Sequence, residues 1–433
     1  MSAGRSGVER PTAGGDRTPP AMREVEVDVL VVGGGPAGLA AAVALRRGGA
    51  GRVLVVDREE RVGGVPRHTD HLGFGMRDLR RVLTGPGYAD AWTRRAVAAG
   101  VELWAPATAT GFAGPGAVDL TAPDGRHTVR ARALLLATGC RERPRAARLV
   151  PGTRPAGVLT TGTLQQLVHL HGERVAGRAL VVGAEHVSFS AAHTLARAGA
   201  EVAALVTEEP RHQSFALLRA LVGLGHRLPV LTSTKVAAVR GRARVEAVEL
   251  TDLRSGATRM LPCDLMVFTG DWIPDHELTR LGGLAIDPGT RGPRVDEALR
   301  TSAPGVFAAG NLLHGAATAD VAALGGRHAA GAVLDFLAGG AWPERAVDLV
   351  CAPPLRWVAP NRVADPRRSP PPGRLLLRVD GFHRARMEAR QDGRLLWAGR
   401  RRLVPNRALH LPAGWLRRVD PSGGPVILAL GHA

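Results

Sequence analysis

The chain has 433 residues, 45% of them hydrophobic, and a formal net charge of +18. That length exceeds one ordinary core and calls for two or three domains. No apolar run reaches the roughly 18 residues of a membrane-spanning helix, and 56 of the 57 basic residues are Arg, a skew that reads as coding bias rather than as a nucleic-acid interface.

Residues 1–24 are polar, rich in Gly, Pro and Arg, and lack the apolar core of a signal peptide. They are expected to form a disordered tail on a cytoplasmic protein. The stretch DVLVVGGGPAGLAAAVALRRG follows at 28–48. Its apolar run 29–32 predicts a strand buried on both faces, and 39–45 predicts an alanine-rich helix. Between them Gly33, Gly35 and Gly38 stand at G-x-G-x-x-G spacing. Gly33 permits the tight turn, Gly35 lets a pyrophosphate approach the backbone, and Gly38 lets the helix pack on the sheet. The helix N-terminus offers N–H groups and the positive end of its dipole. A second apolar strand, 52–56, ends in Asp57, 24 residues after Gly33, where the fingerprint expects an acid on a ribose hydroxyl. Together these features predict a dinucleotide site.

Gly63-Gly64 makes a second glycine turn, placed to pass close to the cofactor. His68 and His71 in the following loop are acid–base candidates, because imidazole titrates near neutrality. Residues 88–99 predict an amphipathic helix. Segments 101–112, 117–121 and 127–132 predict short strands, with a turn at Asp124-Gly125. The buried strand 133–137 ends in Thr138-Gly139-Cys140, and a proline-rich crossing after it predicts a domain boundary.

The pattern strand, glycine, helix, strand returns at 178–206 with Gly183, Glu185 and Ser188 at the fingerprint positions. The Glu185 carboxylate would stand where a pyrophosphate must sit, a costly juxtaposition of like charges. A Rossmann-shaped unit with a lost or altered nucleotide site is expected. Residues 229–260 predict an antiparallel meander and 264–268 another strand, with Asp271, Trp272 and His276 beyond it at a domain interface. The strand 306–309 ends in Gly310-Asn311 and leads into a long alanine-rich helix. His314 just after it is a third candidate for proton transfer.

Beyond about residue 345 prolines cluster and hairpin patterns follow, predicting a small β-rich domain. Residues 351–433 hold 16 Arg against 5 acids, a net of +11, an asymmetry that can steer an acidic partner. Cys140, Cys263 and Cys351 lie far apart, so there is no C-x-x-C dithiol, and no metal-ligand cluster is visible.

GGGPAG, Thr138-Gly139, the inserted second unit and PGVFAAGN resemble the flavoproteins with two dinucleotide-binding domains. The match covers about residues 26–337. The segments GFG…LTGPGYA, ATGCRERPR and PGTRPAGVLTTGTLQ carry a likeness to the flavin subunits of hydrogen cyanide synthase, opine oxidase and sarcosine oxidase. Flavoproteins encoded beside glycerol-3-phosphate dehydrogenases belong to the same branch. The resemblance implies an α/β fold of two Rossmann-like domains: FAD binding by 25–145 and 285–340, a second unit inserted at 146–284, and the basic β-rich domain at 345–433.

It further implies FAD as cofactor. Gly33, Gly35, Pro36, Ala37 and Gly38 would hold the pyrophosphate, and Asp57 and Arg58 the adenosine ribose region. Gly63 and Gly64 would approach the cofactor's middle and Ala109 the adenine by its backbone. Thr138 and Gly139 would line the adenylate side, and Gly310 and Asn311 would close over the flavin end. Asn311 stands where Asp is commoner, keeping an acceptor without the charge. The altered second fingerprint argues against NAD(P). The function implied is an FAD-dependent oxidoreductase, the electron-transferring flavin subunit of a heteromeric dehydrogenase or oxidase. Its substrate would be a small amine, amino acid or hydroxy acid. Its partners would be a substrate-oxidising flavoprotein subunit with, further, an iron–sulfur protein. The alternatives are a self-contained NAD(P)H-dependent reductase and a non-catalytic FAD-bearing interaction protein.

Overall fold

A computed structural model describes residues 23–214, 228–315 and 317–431. The expected tail at 1–22 lies outside them. Arg23 and Glu24, expected in that tail, instead form the first rungs of a strand, opposite His127 and Thr128.

The first sheet runs in the order Glu102–Trp104, Val53–Val56, Arg23–Val32, Gly125–Leu136, Ala117–Ala122, Thr108–Gly114, with Val306–Ala308 also paired to Gly125–Leu136. The two strands expected at 127–132 and 133–137 are one. Its first half pairs with the Ala117–Ala122 hairpin arm and its second half with Val306–Ala308. Helix α1 (Pro36–Arg47) packs on this sheet, and the helix Ala319–Leu337 packs on α1. A Cβ on Gly326 would lie 1.9 Å from the Ala37 carbonyl, so the two backbones touch. Helix α2 (Gly85–Ala98) is capped by the Thr84 hydroxyl, which accepts from Gly87 N at 3.2 Å. Leu30, Leu39, Leu54, Leu135 and Phe307 are fully buried in the shared core.

Strands Cys140–Glu142 and Trp272–Pro274 pair antiparallel where the chain leaves and re-enters this lobe. Between them lies a second parallel sheet, ordered Val158–Thr160, Leu265–Phe268, Gly177–Val182, Ala200–Val206, Val230–Leu231. Val230–Leu231 falls in the segment expected as a meander but pairs parallel with Ala200–Val206. The meander proper is Thr234–Arg240, Ala247–Asp252 and Thr258–Pro262. Helix α3 (Thr161–His169), which the sequence does not announce, and α4 (His186–Ala198) pack together. After the link, Leu278 of the short helix Glu277–Leu281 and Leu284 pack into the first core.

The C-terminal region is a sandwich. One sheet orders Arg362–Val363, Val347–Cys351, Val426–Leu430, His383–Gln391, Arg394–Leu403; the other orders Leu355–Ala359, Arg374–Val379, Leu409–Pro412. Leu349, Leu377, Met387, Leu411 and Leu428 fill the space between them. The sandwich is stitched to the first lobe. Val295 N donates to Asn361 Oδ1 at 2.9 Å, and Ala364 N and Asp365 N donate to the Glu297 carboxylate at 2.8 and 3.1 Å. It also touches the second lobe, where Arg407 donates to the Gln213 carbonyl and the Arg211 guanidinium lies 4.1 Å from the Phe382 ring centre.

Candidate dinucleotide site

The first glycine turn divides its labour by position. Gly33 has φ +110°, and a Cβ there would fall 2.3 Å from the Ala137 carbonyl. A Cβ on Gly38 would fall 1.9 Å from the Gly33 carbonyl, so this glycine lets α1 approach its strand. At Gly35 the nearest atom to a Cβ would be Gly64 Cα at 4.0 Å, so no side chain fills that position. Pro36 occupies the start of α1, where its missing N–H costs nothing. Among the described residues no side chain caps α1 and no acid stands in its first turn. The positive end of the helix is therefore left for an external anion.

The other residues singled out from the sequence gather around this turn to different degrees. Asp57 Oδ2 accepts from Gly34 N at 2.7 Å and Oδ1 from Glu59 N at 2.9 Å, while burial raises its pKa above the ordinary carboxylate value. Gly63 N donates to the Gly34 carbonyl at 2.7 Å, and a Cβ on Gly64 would lie 2.9 Å from Gly35 Cα, so the two glycine turns are in contact. Gly310, at φ +74°, is held close to Ala37; a Cβ there would sit 2.6 Å from Ala37 Cβ. Thr138 Oγ1 donates to the Asp275 carbonyl at 2.8 Å, and the Gly139 carbonyl accepts from Asp275 N at 2.9 Å. Exposed Arg58 reaches Asp275 at 3.5 Å. Ala109 lies further out, half-buried in the strand Thr108–Gly114 opposite Leu120. Asn311 spends both ends of its amide on one backbone position. Nδ2 donates to the Ala317 carbonyl at 3.0 Å, and Oδ1 accepts from Ala317 N at 2.9 Å.

The three candidate histidines do not form one constellation. His68 ends the 3-10 turn Val65–His68, is buried, and has no partner for Nδ1; burial, then Arg67 and His169, push it down to about 4. It is a neutral imidazole at pH 7. His71 is half-buried, its Nδ1 against the Leu72 carbonyl at 2.8 Å and its ring 5.3 Å from that of Phe74. His314 stacks on Trp357 of the sandwich at 5.2 Å, and burial pushes it down to about 3. Burial raises all three thiols, Cys263 to about 11 and Cys351 to about 12, so none is a ready nucleophile.

Sequence reading misses Glu142. It is 7% exposed; its Oε2 accepts from Gly162 N in the first turn of α3 at 2.8 Å, and its Oε1 has no partner. Burial pushes it up to about 7. Nothing in the local sequence signals this, because the burial comes from α3, further along the chain.

The second turn is built alike and filled. Gly183 has φ +141°, and a Cβ there would fall 2.0 Å from Thr269 Oγ1. The Glu185 carboxylate folds back over it. Oε2 accepts from Ala184 N at 3.0 Å, Oε1 accepts from Thr269 Oγ1 at 2.5 Å, and Glu185 N donates to Ser188 Oγ at 3.2 Å. The chain supplies its own anion to the start of α4.

The family model for pyridine nucleotide-disulphide oxidoreductases matches residues 27–326. The chain belongs to that family. It is therefore an oxidoreductase, and FAD is its cofactor; members of the family also interact with NAD(P). This family member is 30% identical over 354 residues to an opine oxidase subunit of Agrobacterium tumefaciens (strain Ach5), covering 72% of this chain and 68% of that protein. It is 28% identical to thioredoxin reductase of Treponema pallidum (strain Nichols), over 67% of this chain and 90% of that one. The T. acidophilum thioredoxin reductase structure superposes with a TM-score of 0.60 at 21% identity, covering 72% of this chain and 98% of that one, which shows the shared fold. The sandwich lies beyond the residues matched by the family model.

The first turn fits a dinucleotide on structural grounds: an open glycine, an uncapped helix start and an acid anchored beside them. None of the helices among the described residues is long and apolar enough to cross a membrane.

Proposed function

We propose that FAD lies with its diphosphate against the start of α1 and that this chain is the electron-transferring flavin subunit of a heteromeric dehydrogenase or oxidase. The contrast between the two turns supports this reading: no side chain fills the place at Gly35, whereas the Glu185 carboxylate fills the equivalent place in the second unit. FAD, when bound, supplies two-electron redox chemistry. The chain's own residues then bind and orient. The amide N–H groups of Gly35, Ala37 and Gly38 meet the diphosphate with Pro36 shaping the turn, Asp57 meets the ribose beside Gly34, Arg58 lies at the rim, Gly63 and Gly64 allow close approach, and Thr138, Gly139, Gly310 and Asn311 bound the remainder. Ala109 is proposed at the adenine through its backbone.

The heteromeric character rests on the relatives that are themselves opine oxidase subunits. A substrate-oxidising flavoprotein as partner, an iron–sulfur protein beside it, and a small amine, amino acid or hydroxy acid as substrate belong to the same proposal. So does the likeness to the flavin subunits of hydrogen cyanide synthase and sarcosine oxidase. A cytoplasmic location accords with three free cysteines.

Anaerobic mixing of the FAD-loaded chain with NADH and NADPH tests it. The flavin absorbance persists if the second turn is closed, and rapid bleaching overturns the subunit reading. Copurification from the native host identifies the partner. A second reading, a self-contained NAD(P)H-dependent reductase, is favoured by the family's NAD(P) interaction; it requires Glu185 to leave the turn.

A further inference from the structure

The outer hairpin of the sandwich, strands His383–Gln391 and Arg394–Leu403, carries two rungs of like charge. Arg384 stands opposite Arg402 and Arg386 opposite Arg400. All four are exposed. Alternation puts them on one face, with the rungs about 7 Å apart. Like charges directly across a ladder oppose folding. The hairpin's neighbouring acid, Glu388, is shared by Arg386 at 3.3 Å and Arg390 at 2.9 Å. Arg384, Arg400 and Arg402 have no ion-pair partner among the described residues.

Protection of a sheet edge accounts for only part of this. Arg394–Leu403 is the edge strand, and His383–Gln391 is paired on its other side to Val426–Leu430 from Met387 to Gln391, with Gly431 N donating to the Arg386 carbonyl at 2.7 Å. Arg384 lies beyond that pairing, but Arg386 guards no edge. A membrane surface would call for an exposed aromatic anchor on the same face; Trp397 lies on the other, with Arg401 5.2 Å from its ring centre. Two rungs are also short for tracking a nucleic-acid backbone, whose binding grows with the number of phosphates met.

We propose that this arginine face docks an acidic patch on a protein partner, whose carboxylates relieve the repulsion between the rungs. The proposal rests on the subunit reading above for the partner's class, and it concerns the docking face alone.

The test uses the full FAD-loaded chain and a fluorescent polyglutamate peptide, with a short DNA duplex and phosphatidylserine vesicles as rival probes. Arg384→Gln/Arg400→Gln removes one charge from each rung. Arg174→Gln/Arg259→Gln removes the same net charge at exposed sites in the second lobe. Expected is a loss of polyglutamate affinity of about fivefold in the first variant only, the scale of two exposed charge pairs. The first variant's thermal midpoint should also rise at low salt, because repulsion is relieved. Equal loss in both variants would show a mere net-charge effect and overturn the proposal. So would a duplex or vesicles bound more tightly than the peptide with the same dependence on Arg384 and Arg400. Bleaching by NADH alongside selective peptide binding would defeat the subunit reading while leaving the docking face standing.

Discussion

The Glu185 carboxylate and Gly270 lie in contact: a Cβ on Gly270 would fall 2.7 Å from Glu185 Oε1. Glu185 thus occupies the hollow between two strand ends that a nucleotide would use. Replacing it with Gly should empty that hollow, and replacing it with Gln should keep the shape while removing the charge. Titration calorimetry with NADH is expected to show no binding to the parent, detectable binding to Glu185→Gly, and little to Glu185→Gln. Tight NADH binding by the parent would remove the basis for calling the turn closed.

Gly35 and Gly38 separate folding from cofactor binding. Gly35→Ala meets no atom closer than 4.0 Å and keeps an ordinary φ of −78°, so the apo fold should lose less than about 1 kcal/mol while FAD content falls sharply. Gly38→Ala drives a methyl onto the Gly33 carbonyl and should cost about 3 kcal/mol or more. Denaturant unfolding and the flavin absorbance of purified protein read the two effects separately. Normal FAD content in Gly35→Ala would place the diphosphate elsewhere.

Glu142 gives a pH signature. Burial raises its pKa from 4.5 to about 7, so the folded state prefers the protonated acid. Its contribution to stability is present in full below pH 4.5 and is lost as pH rises through about 7, a swing of about 3 kcal/mol. His68 acts in the opposite sense. Held neutral by burial, it favours folding above about 6.5 and loses that as pH falls toward about 4. The comparison that isolates the acid is parent against Glu142→Gln: their unfolding free energies should converge at about pH 4.5 and diverge by about pH 8. A constant difference across that range would contradict the assignment.

The fingerprint is legible because its demands are local. Gly33, Gly35, Gly38 and Asp57 sit within one βαβ unit, and each glycine meets a constraint the spacing already implies. Even the obstruction by Glu185 can be read, since it occupies a position where size and charge matter. The long strand Gly125–Leu136 reads as two segments because its pattern changes midway: polar and apolar residues mix where it pairs with Ala117–Ala122, and it is continuously apolar and buried from Ala133 to Leu136. Helix α3 follows a proline-rich crossing and is short, and its one start signal, the Thr160 hydroxyl that accepts from Thr163 N at 3.3 Å, is too weak to mark it in the sequence. The stacking of His314 on Trp357 and the double use of the Asn311 amide depend on chain segments meeting in three dimensions, and no window of residues carries that information.

The seam between Glu297 and residues 364–365 decides what can be cut away. Glu297 is 1% exposed, and both of its oxygens take amide protons from the sandwich. A chain shortened at residue 345 would take both amide donors from Glu297, leaving Arg300 at 3.4 Å as its partner, and would uncover the ring of His314. Truncation to the family-matched portion would therefore produce a wounded protein rather than a minimal one, and any catalytic deficit in it would report on damage before it reported on the missing segment's role.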